Sequence, residues 1–210
     1  MTATSMSSGT VFLVDDNDAF RQSTRWLLES HGLRVSAFKS GQEFLDAYAP
    51  TPAGRKPECL LLDLRMPGLT GLQVQEMLAQ RSAVVPVIII TAHGDVPLAV
   101  EAMRRGAFDF LEKPFGDGRL VAAIHSALAR DDEQMSRDRE IADVRSRLDG
   151  LTPRERQVLD SVIGGALNKT IADKLGISIK TVELHRSRVM EKMHAQSLAQ
   201  LIQMTVRVRS

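Results

Sequence analysis

One cysteine, one tryptophan and one tyrosine in 210 residues exclude several classes of protein at once. Cys59 has no partner for an intramolecular disulfide framework, which suits a reducing compartment. The longest apolar run, Val84 to Ile90, is broken by Pro86 and falls far short of the ~20 residues that span a bilayer. Residues 1–10 are rich in Ser and Thr, with neither a basic nor an apolar region. No signal peptide is read there, and a cytoplasmic location is expected. No internal repeat or long low-complexity tract is present. At roughly 100–200 residues per domain, the length allows one large domain or two small ones, either able to bury a core without disulfides or metal.

Net charge is nearly absent too, at +1, but this neutrality is an average of two unlike parts. From Arg145 onward there are 12 Lys/Arg against 6 Asp/Glu, a net of +6. The preceding residues hold the remaining 15 and 20, a net of −5. An acidic front and a basic tail predict two domains with different partners, the basic one facing nucleic acid.

The front alternates short apolar runs with amphipathic stretches. Strands are predicted at Val11–Val14, Val35–Phe38, Cys59–Leu62, Val85–Ile90 and Phe108–Leu111. Between them lie helices from Asp18, as N-cap, through His31, from the capping box Ser40/Glu43 to about Ala49, over Leu72–Gln80, and over Val96–Arg105. A last helix starts near Asp117, and Pro50–Pro57 reads as a loop. Five near-continuous apolar strands alternating with helices indicate an α/β domain, a parallel sheet covered on both faces. The expected boundaries are a weakly ordered N-terminus over 1–9, this domain over 10–130, and a solvated, helical, charged linker over 131–149. In the linker Ile141, Val144 and Leu148 form only a thin apolar stripe; a dimerising coiled coil is the weaker alternative, because it would need three or more clean heptads.

Over 150–210 the pattern is all helical. Thr152-Pro153-Arg154-Glu155 combines an N-cap, a proline at the first helical position and a capping-box glutamate. Helices are predicted to about Ile163, over Lys169–Leu175, from the Ser178 cap to about Met193, and from the Ser197/Gln200 box to about Val206.

In an open parallel sheet, function gathers at the carboxyl ends of strands near a topological switch point. Asp15 and Asp16 follow the first strand and Asp63 the third. Such clustered carboxylates need a cation or raised pKa values, and carboxylate oxygens are the donors Mg²⁺ prefers. Thr91 ends the fourth strand and Lys113 follows the fifth, adding a hydroxyl and an ammonium to a site suited to receiving a phosphoryl group. Singly, each has an ordinary reading: a loop or helix cap, a strand-end threonine, a surface lysine. The conjunction is what points to chemistry.

Val14-Asp15-Asp16-Asn17, Leu62-Asp63-Leu64-Arg65-Met66-Pro67-Gly68, Ile90-Thr91-Ala92 and Lys113-Pro114-Phe115 resemble the receiver domain of two-component response regulators. The resemblance covers residues 10–130. It implies a flavodoxin-like sheet of strand order 2-1-3-4-5 and phosphorylation of Asp63 by a sensor histidine kinase. It further implies Mg²⁺ held by Asp15, Asp16, Asp63 and the backbone carbonyl of Arg65, with phosphoryl oxygens bound by Thr91 and Lys113. The Lys113–Pro114 peptide is expected to be cis, and Ala92 leaves access to Asp63. Phe110 is the expected switch aromatic, filling space vacated by Thr91, with an ordinary core ring as its alternative. The face around that strand and the preceding helix is then expected to dimerise on phosphorylation. No conventional enzyme is expected, only Mg²⁺-dependent self-phosphorylation from a phosphodonor and slow autodephosphorylation. His93, near the site, reads as a loop histidine or a modulator of phosphoryl lifetime.

In the tail, two helices joined by a Gly-containing turn match helix-turn-helix geometry. On the second, Val182, His185, Val189 and Met193 form an inward stripe. Lys180, Glu183, Leu184, Ser187 and Arg188 lie on or beside the opposite face. Lys169 and Arg186 are candidate phosphate contacts, with Asn168 and Thr181 as neutral ones. A small four-helix bundle with a solvated charged face fits the helix pattern equally well. Leu151-Thr152-Pro153-Arg154-Glu155, Asn168-Lys169, Ile171-Ala172, Leu175, Ile177-Ser178, Lys180-Thr181-Val182 and His185-Arg186 resemble the LuxR/NarL effector domain, and Thr181–Arg186 with Val189-Met190 its FixJ branch. That resemblance puts Glu183, Leu184 and Ser187 at base-reading positions, with promoter DNA as partner, and makes the last helix part of a dimer interface. A rival aspartyl-phosphate hydrolase normally has an acid two residues after its nucleophile, where this chain has Arg65. A regulator without phosphoryl chemistry would lack one of Asp16, Asp63 or Lys113, and a quorum sensor would carry more aromatics in front.

Overall fold

The computed structural model describes residues 9–49, 55–81, 83–92 and 96–209. The expectation for the N-terminal residues 1–8, most of the loop after residue 49 and the reading of His93 lie outside the described residues. The chain divides into two compact units, Met1–Met135 and Ser136–Ser210.

The first unit is a doubly wound sheet. Its strands are β1 (Thr10–Val14), β2 (Arg34–Phe38), β3 (Glu58–Asp63), β4 (Val87–Thr91) and β5 (Asp109–Glu112). All pair in parallel in the order β2-β1-β3-β4-β5. The intervening helices are α1 (Asp18–Ser30), α2 (Gly41–Ala47), α3 (Gly71–Gln80) and α4 (Val96–Arg104), and α5 (Asp117–Asp149) follows β5. Every residue of β3 and β4 is buried, which is why Cys59–Leu62 and Val87–Ile90 within them are continuously apolar in sequence. The period-two alternation of strand side chains divides them between two cores. Leu60, Leu62 and Ile89 join Phe44, Val74 and Ala102 from α2, α3 and α4 on one face. Cys59, Leu61, Ile88 and Ile90 join Leu28, Leu120 and Ile124 from α1 and α5 on the other.

Local details depart from expectation in instructive ways. Asn17, not Asp18, caps α1: its side chain accepts from the Phe20 N–H, leaving Asp18 as the first helical residue. Gly32 follows with φ of 78°, the left-handed conformation that suits glycine at a helix end. Ser40 caps α2, but the Glu43 carboxylate reaches back to the Lys39 N–H at 2.9 Å rather than to Ser40. Thr70 and Gln73 form a full capping box on α3 that the sequence reading did not identify. β4 starts at Val87, after the proline that cannot donate to the ladder.

Residues 131–149, expected as a solvated linker, form the later part of α5 and are not solvated throughout. Asp131 is 1% exposed, and Val144 and Leu148 are buried. The thin stripe suffices because the second unit supplies the rest of a core around it: Leu151, Leu159, Val189, Met193 and Leu201.

That second unit contains α6 (Pro153–Ile163), α7 (Asn168–Leu175), α8 (Ile179–Lys192) and α9 (Leu198–Arg209). The predicted Thr152/Glu155 capping box with Pro153 in the first turn is present on α6. α7 ends at Gly176, which adopts φ of 65° and turns the chain into α8, capped by Ser178. Val158, Val162, Ile171, Ala172 and Val182 hold α6, α7 and α8 together.

Candidate functional site

The strand order reverses between β1 and β3, so the carboxyl ends of these two strands flank the crevice where ligands bind in such sheets. Asp15 and Asp16 leave β1 there, and Asp63 is the last residue of β3. One carboxylate oxygen from each lies within 4.8 Å of the others. Asp15 and Asp63 are buried, whereas Asp16 is exposed. Lys113, just past β5, places its Nζ 2.6 Å from Asp15 Oδ2 and 3.4 Å from Asp63 Oδ1. Thr91 ends β4 and is 1% exposed, and its carbonyl accepts from the Lys113 N–H at 2.7 Å. Ala92 is exposed at the same end of the sheet, as are the side chains of Arg65 and Pro114. The Lys113–Pro114 peptide is cis.

One ammonium facing two carboxylates leaves a net negative site. Burial pushes the Asp63 carboxyl up to about 6, and the charges of Asp15 and Asp16 add to this while Lys113 opposes it. Hard oxygen donors at this spacing fit a small divalent cation, and the excess negative charge favours one.

Phe110 lies in β5, in register with Ile89, and is half-buried against the core beneath α2, α3 and α4. On α4 itself Val96, Val100 and Met103 are exposed at helical spacing, an apolar stripe at i, i+4 and i+7.

Two residues of α1 were missed by the sequence reading. Arg21 donates to the Asp15 carbonyl at 2.6 Å, and the Phe20 ring lies under the Lys113 ammonium, 3.9 Å from its centroid. The one signal available was their place in the first turn after the acidic pair. Gly71 was missed as well. A Cβ there would stand 2.6 Å from the Asp63 carbonyl oxygen, so only glycine lets α3 start so close to β3.

In the second unit Val182, Val189 and Met193 face inward as the stripe predicts. His185 is half-buried, and its buried Nδ1 has no hydrogen-bond partner among the described residues. Lys180, Glu183, Leu184, Ser187 and Arg188 are exposed along α8, Thr181 is half-buried near its start, and Lys169 is exposed on α7. Arg186 instead turns to Asn168, donating to its Oδ1 at 2.6 Å, so these two tie α8 to α7. Leu167 caps α7 without a side-chain hydrogen bond.

A doubly wound sheet with acids, a hydroxyl and a lysine at its switch point, in one chain with a helix-turn-helix, defines a signal-controlled DNA-binding regulator. Residues 11–125 match the response regulator receiver domain, and residues 149–205 match the bacterial regulatory proteins of the luxR family. The transcriptional regulatory protein FixJ of Azorhizobium caulinodans is 48% identical over 93% of this chain and 91% of its own length. Nodulation protein W of Bradyrhizobium diazoefficiens is 43% identical over 93% and 84%. Among solved structures, the response regulator StyR superposes with a TM-score of 0.83 at 40% identity, covering 95% of this chain and 99% of that one. The chain belongs to the response regulator family, in the FixJ-type group that joins a receiver to a luxR-family DNA-binding domain, and it is a transcription regulator. Its receiver implies a histidine kinase as partner and its second domain implies DNA. Among the described residues no helix is long and apolar enough to cross a membrane.

Proposed function

We propose that Asp63 is the phosphoacceptor and that its phosphorylation controls promoter binding by residues 150–210. The observation that carries this reading is the cluster of Asp15, Asp16, Asp63 and Lys113 at the switch point of the sheet. An Asp63 carboxylate oxygen attacks the phosphorus of a kinase phosphohistidine. The new O–P bond forms as the P–N bond breaks, and the departing imidazole takes a proton from solvent. A small phosphodonor such as acetyl phosphate serves in the same way, with acetate leaving. Asp15, Asp16, Asp63 and the Arg65 carbonyl are the residues to hold Mg²⁺. When bound, the ion offsets the repulsion among the carboxylates and the charge on the phosphoryl oxygens. Lys113 and Thr91 bind those oxygens, with Ala92 leaving the approach open, and water slowly hydrolyses the acyl phosphate.

Phosphorylation adds about −1.5 to −2 charge and strong acceptors beside Thr91. Thr91 moves toward them and Phe110 fills the space it leaves. The exposed stripe of Val96, Val100 and Met103 beside β5 supports dimerisation of the receiver on this face, and α9 joins the second domain of each copy. Within the domains proposed, a receiver over 10–130 and a connecting helix over 131–149 lead to the DNA-binding domain. There Lys169, Lys180, Thr181 and Arg188 meet phosphates, and Glu183, Leu184 and Ser187 face base edges. Asn168 and Arg186 brace each other at the backbone contact. The protein works in the cytoplasm, where its kinase presents the phosphoryl group.

The test is promoter binding by gel shift with and without acetyl phosphate and Mg²⁺, repeated with Asp63→Asn. Binding should tighten only in the phosphorylated wild type and weaken steeply with salt. Equal binding by all forms would overturn the switch, and labelling of Asp63→Asn at the wild-type level would overturn the acceptor.

A further inference from the structure

We propose that Phe20 is a positioning residue for phosphoryl transfer: its ring holds the Lys113 ammonium between Asp15 and Asp63. This rests on the reading of Asp63 as phosphoacceptor. The Lys113 Nζ lies 3.9 Å from the Phe20 ring centroid, 2.6 Å from Asp15 Oδ2 and 3.4 Å from Asp63 Oδ1. The negative face of an aromatic ring attracts a cation at this distance. It also covers one side of an ammonium that otherwise binds water strongly.

The ring is itself held. Phe20 packs edge-on against Phe115, with centroids 6.1 Å apart and planes at 82°, and Phe115 is two residues beyond Lys113 in the chain. The first turn of α1 is fastened by the Asn17 cap and by the Arg21 bond to the Asp15 carbonyl. The same strand end therefore carries Asp15 and fixes the ring that faces the lysine. The three holds on the ammonium differ in one respect. Asp15 and Asp63 attract it by charge, and the charge at Asp63 changes during transfer. The ring is neutral, so its attraction persists while the phosphoryl group arrives. An aliphatic side chain at residue 20 would fill the space without that electrostatic face.

The experiment compares Phe20→Leu, which keeps apolar bulk, with Phe20→Tyr, which keeps the ring, in the full chain. Labelling by acetyl phosphate and Mg²⁺ should slow by about three- to tenfold in Phe20→Leu and return to near the wild-type rate in Phe20→Tyr. The ε-methylene protons of Lys113, read by NMR without phosphodonor, should be shifted upfield by the ring in wild type and Phe20→Tyr. In Phe20→Leu that shift should vanish. In a Lys113→Met background, Phe20→Leu should slow labelling no further. Wild-type labelling in Phe20→Leu, with the Lys113 resonance staying at its wild-type position, overturns the proposal, as does an equal slowing in the Lys113→Met background. Failure of the wild type to label overturns the acceptor reading instead, and the NMR arm then still decides whether the ring holds the ammonium.

Discussion

Lys113 leans toward Asp15: its Nζ is 2.6 Å from the Asp15 carboxylate, against 3.4 Å from that of Asp63. One cation therefore compensates Asp15 more fully than Asp63, and Asp16 adds a third charge within 4.8 Å. Mg²⁺ should raise the melting temperature of the receiver. A ligand at ten times its Kd contributes about 1.4 kcal/mol, worth several degrees in a domain of this size. Asp16→Asn should lose most of that gain. Superimposable melting curves of the wild type in Mg²⁺ and in chelator would remove the metal from the scheme.

Far from this site, Arg55 grips Asp131 with both terminal nitrogens, one of them at 2.8 Å, and Asp131 also accepts the Glu58 N–H at 2.8 Å. The side chains are 14% and 1% exposed. Removing one partner from a buried pair costs about 3–5 kcal/mol because the other charge is stranded. Here Glu58 Oε2 lies 3.5 Å from Arg55 and softens the loss. Asp131→Ala should cost about 2–3 kcal/mol in urea unfolding, and Arg55→Met should cost more, because it strands the carboxylates of both Asp131 and Glu58. Arg55→Met no more destabilising than Asp131→Ala would contradict this.

Gly71→Ala should impair both stability and labelling of Asp63. The added methyl would meet the Asp63 carbonyl oxygen at 2.6 Å and Leu64 Cα at 3.0 Å, both backbone atoms that move only if the loop moves. Overpacking of this kind costs about 1–3 kcal/mol. Gly116→Ala, where a Cβ meets nothing within 4 Å, should stay within about 0.5 kcal/mol of wild type. The two substitutions should be compared by denaturation and by acetyl phosphate labelling, and equal behaviour would count against the steric argument.

Glu155 confers acid sensitivity on the second unit. Lys192 Nζ at 2.7 Å and the Thr152 N–H at 2.8 Å hold its carboxylate, chiefly through the lysine, and pull its pKa from 4.5 down to about 2. A depressed folded-state pKa means stability that is fully present above pH 4.5 and lost as pH falls from there through 2. Thermal unfolding of the full chain followed by circular dichroism across that window should show this loss. Glu155→Gln should flatten it and be less stable than wild type at neutral pH. An unchanged slope in the variant would assign the acid loss elsewhere.

The sheet was legible because its evidence is local. Leu60–Leu62 and Ile88–Ile90 are apolar without interruption, as strands buried on both faces must be, and Asp63 and Thr91 end their runs where a parallel sheet gathers chemistry. The Thr152/Glu155 box and the Gly176 turn are equally short in range. Choices between neighbours were less so. Asn17 and Asp18 are both good caps; Asn17 takes the position, its N–H donating to Asp15 Oδ1 at 2.8 Å and its side chain accepting from the Phe20 N–H.

Sequence alone thus determined the alternation of strands and helices, the acidic front and basic tail, and the residues at the strand ends. The tertiary structure decided which distant groups meet. Asp131 sits in a charged stretch that reads as solvated, yet it is buried against Arg55, 76 residues earlier. Val144 and Leu148 look too few for a core until α6, α8 and α9 close over them. Lys113 carries no mark of its preference for Asp15, or of the Phe20 ring beneath it, 93 residues back in the chain. Patterns repeat within a helical turn or a strand pleat, where neighbours in sequence are neighbours in space. Ion pairs and ring contacts across such separations depend on how the whole chain closes, and no local pattern encodes that.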